Sequence, residues 1–307
     1  MTLARQWVGD APFQETWFIE VLFSADRGLW VRYVLDATRG VAEVWALVVE
    51  RSGVVASHVE ELPLADVRGP LFTAPCATLA RDRARGEVGG IAWDLRLDDL
   101  GVRHRHVPRL RPALGLGRTY HPGILDLRVQ GHVTFGGETW QVSRGMGVLG
   151  HLWGRHSRVH RWSWAHCNAF HEDGILFEGL AADVGCLTLT SLVLHVQGHT
   201  YGFSRPRDLA RTWSHTSDGL WSFQAERDGA TLVGEVRLKP GSAATVRYDR
   251  ADQDPLFCTN TRFADARIVL RDPRRRVDVD LRSREAAFEV VGTEALAPAC
   301  LPARDPR

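Results

Sequence analysis

Apolar and polar side chains alternate along nearly every periodic segment of this 307-residue chain. Between residues 124 and 135, Leu125, Leu127 and Val129 fall on one face, and Asp126 and Arg128 fall on the other. This period of two is typical of a strand with one buried face. Asp-Gly pairs, which favour tight hairpins, separate several such runs, at 173–174, 218–219 and 228–229. The pattern predicts an all-β fold of antiparallel strands, with short helices only near 57–66 and 205–211.

The number of strands exceeds what one small barrel holds, so we predict two packed β-barrels or sandwiches. The irregular, Gly-rich passage after residue 144 is the best boundary. We therefore place an N-terminal β-barrel domain at 1–144, a C-terminal one at 145–296, and a disordered tail at 297–307. A Pro- and Arg-rich stretch over 102–123 is expected to be a long loop of the lid or ligand-binding type.

Composition narrows the class of protein. The formal net charge is +1, with 38 basic and 37 acidic residues, so no charge imbalance favours a nucleic-acid partner or an anionic membrane. No run approaches the roughly 18 apolar residues of a membrane span, and the N-terminus lacks a signal-peptide core. The five cysteines are scattered without a CxxC pair, as in a reducing compartment. We predict a soluble, cytoplasmic protein without a transmembrane segment; its oligomeric state is left open.

The segment 145–170 concentrates aromatic and imidazole side chains behind a glycine-rich start. From residue 161 its alternation is strict, so Trp162, Trp164, His166 and Asn168 share one strand face while small residues occupy the other. A face of two indoles, an imidazole and an amide exceeds what a core needs. We interpret it as the lining of a ligand cavity.

Glu178 is the candidate acid. It shares a strand face with Leu176 and Leu180. One hairpin separates it from the strand that carries Trp162, Trp164 and His166, here called the Trp/His strand. A carboxyl group on an apolar face either pairs with a cation, here an arginine, or becomes a proton donor near neutral pH. Leu176 is expected to line the same cavity.

His151 and Trp153 form a second candidate pair, two residues apart and on one side of an extended backbone. Imidazole can move a proton, and an indole face can stabilise a cation. The alternative is structural, with Trp153 closing a barrel end and His151 capping a turn. The histidines between 151 and 171 could also bind a metal, but none has the spacing of a known zinc motif. The His-rich stretch 103–106 is expected to be a solvated loop.

Polar and aromatic residues also share the first two strands. Glu20 follows Trp17 and Phe18, and Arg32 lies on the next strand. A cross-strand Glu20–Arg32 pair inside the barrel would satisfy both charges. A structural role is the favoured interpretation of this pair; the alternative is contact with a ligand, for which Trp17, Glu20 and Arg32 are the candidates in the first half.

Several common chemistries have no signal in this chain. It contains no GxSxG nucleophile elbow, no Walker A loop, and no GxGxxG at a strand-to-helix turn.

Two passages carry a family resemblance. ETWF…GLWVRYVL, from Glu15, and GHLWG…WSWAHCN, from Gly150, resemble the lipocalin-like proteins grouped with carotenoid 1,2-hydratase, AttH-like proteins and tocopherol-cyclase-like proteins. The resemblance implies two tandem antiparallel lipocalin-like β-barrels packed side by side. It also implies cofactor-free chemistry on greasy polyenes or polyketides, such as hydration or ring closure.

The resemblance also implies site residues. In the family, a His-x-Trp pair works with an acid on a following strand, preceded two residues earlier by tyrosine. His151 and Trp153 match the pair, and Glu178 keeps an acid where the family has aspartate. Leu176 replaces the tyrosine, so the chain lacks the phenol that the carotenoid hydratases have at this position.

Together these features predict a protein that binds a hydrophobic small molecule of polyene, prenyl or polyketide type and carries out cofactor-independent acid–base chemistry on it, as a hydratase, cyclase or isomerase. Glu178, His151 and Trp153 are the predicted catalytic residues. The alternatives are a carrier or sensor without catalysis, and a metal-dependent enzyme using the histidine cluster.

Overall fold

The computed structural model describes residues 3–106, 117–155, 159–239, 241–250, 253–297 and 303–304. The chain divides into two compact units. The first contains Met1–Arg103, Gly117–Ser157 and Cys300–Arg307. The second contains His104–Leu116 and Arg158–Ala299.

The first unit is one large sheet. Its described strands are β1 Gln14–Leu22, β2 Arg27–Asp36, β3 Val41–Glu50, β4 Gly53–Pro63, β5 Phe72–Thr73, β6 Ala77–Leu79, β7 Arg83–Val88, β8 Ile91–Asp99, β9 Arg118–Phe135, β10 Glu138–Gly154 and β21 Ala303–Arg304, with a 3-10 turn at Leu64–Asp66. The order across the sheet is β21-β4-β3-β2-β1-β10-β9-β8-β7-β6-β5. Neighbours are antiparallel except β21, which is parallel to β4.

The core of the first unit lies against one face of this sheet. Trp17, Ile19 and Val21 of β1 point into it, and they alternate with residues of the opposite face, as a strand requires. Trp93 donates its indole N–H to the hydroxyl of Tyr33 at 3.1 Å, so the polar atoms of these two buried rings satisfy each other.

The second unit is also one sheet. Its described elements are β11 Trp162–Cys167, β12 Leu176–Val184, β13 Leu187–Val196, β14 His199–Phe203, α1 Pro206–Leu209, β15 Thr212–Ser217, β16 Leu220–Arg227, β17 Ala230–Arg237, β18 Ala244–Arg250, β19 Gln253–Asp272 and β20 Val277–Gly292. The order is β14-β13-β12-β11-β20-β19-β17-β16-β15, with β18 paired to β19.

The core of the second unit is aromatic. Phe177 of β12 stacks on Phe223 of β16 with ring centroids 5.2 Å apart, and Trp221 lies 4.7 Å from Phe223. Hydroxyl pairs link β15 to other strands through side chains: Thr190 with Ser214 at 2.6 Å, and Ser163 with Thr216 at 2.8 Å.

The all-β prediction, with antiparallel sheets in two units, is confirmed. The helix predicted near 57–66 is wrong: this segment is β4 and a 3-10 turn, because β4 pairs along its length with β3. Near 205–211 the structure forms α1. No helix among the described residues is both long and apolar enough to cross a membrane.

The predicted boundary after residue 144 falls inside β10, all of which belongs to the first unit. Glycines permit this continuity: a Cβ on Gly147 would lie 1.9 Å from the carbonyl oxygen of Glu20 on β1. The Gly-rich run therefore marks a close approach of β10 to its antiparallel neighbour β1. In the predicted loop, 118–123 is the start of β9, and 107–116 lies outside the described residues. Within the predicted tail, Ala303–Arg304 form β21, while 298–302 and 305–307 lie outside the described part.

Candidate functional site

The β11–β12 hairpin brings the predicted acid beside the predicted aromatic face. The register places His166 directly opposite Glu178, and Trp164 opposite Leu180. Glu178 in turn lies opposite Val193 of β13. Because side chains alternate, Trp164, His166 and Glu178 share one face of the sheet. The sequence prediction that these residues are neighbours is thereby realised in the geometry.

Glu178 is fully buried and is held by two side chains. Its Oε2 lies 2.7 Å from Nε2 of His106, and its Oε1 accepts the indole N–H of Trp164 at 2.9 Å. The other ring nitrogen of His106, Nδ1, lies 3.0 Å from Oγ of Ser191 on β13. The carboxyl, imidazole and hydroxyl therefore form one continuous hydrogen-bonded line.

This sheet face is distinct from the aromatic core of the second unit. Phe177 and Gly179 point to the core, where a Cβ on Gly179 would lie 2.6 Å from the ring of Trp221. Glu178, between them, points to the other face, and it is still fully buried. Both faces of β12 are thus covered at this point, one by aromatic rings and one by the polar cluster.

The segment before residue 107 contributes to that cover. His106 has 2% of its surface exposed, and its ring meets that of His104 edge-on, with centroids 4.6 Å apart. Gly202 of β14, in the same cross-strand row as Glu178 and Val193, lies beneath: a Cβ there would be 3.0 Å from the His104 ring. The expectation of a solvated loop at 103–106 is wrong for His106. Its neighbours in sequence give no period that marks a buried histidine, so sequence reasoning missed it.

His104 is held in its neutral form. Burial is the larger cause that lowers the pKa of His104 well below its usual value, and the nearby His106 and Arg227 act in the same direction. The His104 ring therefore carries no positive charge in the folded protein near neutral pH.

The remaining residues predicted for this face differ in their surroundings. Trp162 is half-buried, donates its indole N–H to Glu289 of β20 at 2.6 Å and stacks on Tyr248. Trp164 stacks on His166 at 6.3 Å. Leu176 and Asn168 are buried, the first opposite His195 and the second just beyond the end of β11.

His151 and Trp153 belong to a separate cluster in the first unit. Nε2 of His151 lies 2.7 Å from Oε1 of Glu15, and its ring stacks on Trp17 at 4.8 Å and tilts against Trp153 at 4.4 Å. His151 and Glu15 are fully buried, whereas Trp153 is half-buried. Glu15 is a functional candidate that sequence reasoning missed; its place in the alternation two residues before Trp17, on the core face, was the available signal.

The N-terminal segment closes this first-unit cluster. The backbone N–H groups of Gln6 and Trp7 donate to the two oxygens of Glu15, at 2.7 and 2.9 Å. Trp17 donates its indole N–H to the carbonyl of Leu3 at 2.9 Å. Glu15 is thus tied to the backbone as well as to the side chain of His151.

The predicted Glu20–Arg32 pair involves neighbouring strands, β1 and β2. Arg32 lies opposite Phe18, and Glu20 lies opposite Trp30, so the two charges are diagonal neighbours. The guanidinium of Arg32 lies over the rings of Trp30 and Trp45, at 5.7 and 5.3 Å from their centroids. Cation–π contact is favourable for a planar guanidinium, which explains this arrangement.

Metal binding by the histidine cluster has no support in the described part of the chain. No group of three or more His, Cys, Asp or Glu side chains there is arranged to hold a metal ion. His156, one of the predicted histidines, lies outside the described residues.

Fold and site together define a class: an all-β protein of two units, with a buried carboxyl–imidazole pair among indole rings. The chain belongs to the tocopherol cyclase-like family, whose sequence profile matches residues 125–292, more than half of the chain. The resemblance drawn from the two sequence passages is therefore confirmed.

Solved structures share the fold. CghA in complex with Sch210972 is similar at a TM-score of 0.62 and 12% identity, over 92% of this chain and 88% of that one. Kievitone hydratase from Nectria haematococca is similar at 0.58 and 8% identity, over 91% and 89%. A putative AttH from Nitrosomonas europaea is similar at 0.53 and 13% identity, over 92% of both chains. A search of the curated proteins found no match.

Proposed function

We propose that this protein binds a hydrophobic small molecule of polyene, prenyl or polyketide type and performs cofactor-independent acid–base chemistry on it, with Glu178 as the proton donor and acceptor. The observation that carries the proposal is the position of Glu178: fully buried, 2.7 Å from an imidazole nitrogen and bonded to an indole N–H. Carboxyl groups in such surroundings are suited to proton transfer, because burial and a titratable partner govern where the proton resides.

The proposed reaction begins with transfer of a proton from the Glu178 carboxyl to an unsaturated carbon of the ligand, which leaves a carboxylate and a carbocation. The indoles of Trp164 and Trp162 stabilise a cation through their ring faces and offer no nucleophile to trap it. Addition of water gives a protonated alcohol, whereas addition of a double bond of the same molecule moves the cation to another carbon; loss of a proton from either species completes the reaction. The proton then released returns to Glu178, so that a turnover consumes no net acid.

Family membership supports this type of chemistry, and the choice among hydration, cyclisation and isomerisation remains part of the proposal. Among the solved structures, one is kievitone hydratase and another is CghA in complex with the small molecule Sch210972. His166, Asn168 and Leu176 are proposed to line the ligand site. His151 and Trp153 are proposed as further catalytic residues, because they match the His-x-Trp pair of the family motif.

The experiment begins with native mass spectrometry and organic extraction of the purified protein. The compound found, or chemical relatives of it, is then incubated with wild type and with Glu178→Gln, which keeps the size of the side chain and an acceptor for Trp164. We expect turnover to fall at least about 100-fold, the usual contribution of a general acid or base, with ligand affinity largely unchanged.

Glu289→Gln is the matched control, because Glu289 also accepts an indole N–H, from Trp162. Its turnover should remain close to wild type. Equal loss of turnover and affinity in Glu178→Gln would make Glu178 structural. Bound ligand without turnover in the wild type would favour the carrier.

A further inference from the structure

We propose that His106 and Ser191 are positioning residues for Glu178: the line Ser191–His106–Glu178 holds one exchangeable proton and sets which carboxyl oxygen carries it. This inference deepens the proposed function and rests on it. The established family motif includes neither residue, and both lie outside the Trp/His strand.

The geometry is that of a relay. His106 bridges Oε2 of Glu178 at 2.7 Å and Oγ of Ser191 at 3.0 Å, through opposite nitrogens of one ring. All three side chains are buried, with 2% of His106 and 5% of Ser191 exposed. Ser191 lies on β13 opposite Leu180, on the same sheet face as Glu178. A serine hydroxyl both donates and accepts, so it can serve either tautomer of the ring.

The proton balance follows from these contacts. With the exchangeable proton present, it lies on Oε2 of Glu178 or on Nε2 of His106, and Nδ1–H donates to Ser191. With the proton absent, Nε2–H donates to the carboxylate, and the Ser191 hydroxyl donates to Nδ1. Each state satisfies every member of the line, so neither leaves a buried donor without an acceptor.

Other charged and titratable groups face this line. His104 meets the His106 ring edge-on, His166 lies across the strand pair from Glu178, and Arg227 acts on His104 from β16. Because the pKa of His104 is lowered, this ring stays neutral and does not compete as the proton carrier.

Gly202 fixes where the relay segment lies. The His104 ring occupies the space that a side chain at this position of β14 would need. The neighbouring backbone of His104–His106 is thereby brought over the row that holds Glu178.

The test is nuclear magnetic resonance of the full chain labelled with ¹⁵N-histidine, followed across pH; the His106→Gln variant assigns the His106 signals. We expect both ring nitrogens of His106 to give the signals of hydrogen-bonded atoms, Nδ1 toward Ser191 and Nε2 toward Glu178. Ser191→Ala removes the hydrogen-bond partner of Nδ1 in either proton state, so the Nδ1 signal of His106 should move from its wild-type position.

Three further variants separate a relay from packing. Glu178→Gln should displace the His106 Nε2 resonance. Ser191→Thr, which keeps the hydroxyl, should restore the wild-type Nδ1 signal of His106. Thr190→Val is the matched control: it deletes a buried hydroxyl of the same strand that bonds Ser214 instead, and it should leave the His106 signals unchanged. If Ser191→Ala does not fold, Ser191→Cys, with a weaker donor and acceptor, replaces it.

Unchanged His106 signals in both Ser191→Ala and Glu178→Gln would overturn the relay. The readout needs no substrate, so it is independent of the test of function. A coupled His106 with an active Glu178→Gln enzyme would refute the proposed function alone. An inactive Glu178→Gln enzyme with an uncoupled His106 would refute the relay alone.

Discussion

Two buried glutamates of this chain are held in different ways. Glu15 accepts two backbone N–H groups and the ring of His151, so its position is fixed by the main chain. Glu178 is bonded to His106 and Trp164, both side chains that respond to substitution without loss of backbone hydrogen bonds. We therefore expect changes around Glu15 to affect mainly stability, and changes at Glu178 to affect mainly turnover.

His151→Ala tests this expectation in the first unit. It leaves Glu15 fully buried with its side-chain partner removed, and breaking a buried pair in this way costs about 3–5 kcal/mol of unfolding free energy. Urea denaturation followed by tryptophan fluorescence measures the loss. The control His215→Ala, at an exposed position of β15, should change stability by less than about 0.5 kcal/mol. A loss below about 1 kcal/mol for His151→Ala would contradict the structural importance of the pair.

The lowered pKa of His104 predicts that the protein loses stability as the solution becomes acidic. Since its pKa is lowered in the folded state, the unfolded chain binds this proton more readily, and stability is complete above about pH 6.5. As pH falls below that value, unfolding free energy should decline, by at most about 1.4 kcal/mol per pH unit for this one group. His104→Gln should reduce the difference between urea midpoints at pH 7.5 and pH 5. An identical difference in wild type and variant would contradict the assignment.

Among the elements, β10 shows how glycine is used. Its Gly-rich part passes β1 so closely that a Cβ on Gly147 would meet backbone, which cannot move aside as a flexible side chain can. At this position two paired antiparallel strands of the first unit approach each other closely.

Gly147→Ala should therefore destabilise the protein by about 1–3 kcal/mol or more, through forced separation of β1 from β10. Gly292→Ala is the matched control, because it is also a strand glycine and a Cβ there meets nothing within 4 Å. Thermal unfolding by circular dichroism compares the two. Equal melting temperatures would show that β10 can move away from β1 at Gly147 without loss of stability.

The elements also show what sequence periodicity can predict. The hairpin of β11 and β12, and the shared face of Trp164, His166 and Glu178, follow from alternation and a turn of polar residues and glycine. Several polar residues of β4 are compatible with a helix, so the sequence pattern predicts one there. Pairing with β3 decides the conformation of this segment instead. Burial of His106 depends on a segment outside any strand, to which no periodicity applies.

For the whole molecule, the two units are not contiguous in sequence. His104–Leu116 belongs to the second unit, although it lies between strands of the first, and Cys300–Arg307 belongs to the first. A division of the chain from sequence alone assumes that each unit is one continuous segment. Composition and turn signals predicted two β units, but which unit takes an intervening segment depends on long-range contacts such as that of His106 with Glu178.

The most direct test of the central claim compares the compounds extracted from wild type and from Glu178→Gln after identical expression in the source cells. If Glu178 carries the chemistry, the variant should retain unreacted substrate, and the wild type should hold product or be empty. Compounds that differ by the mass of one water would define a hydratase, and compounds of equal mass but different retention would define a cyclase or isomerase. The same compound at the same occupancy in both proteins would contradict a catalytic Glu178.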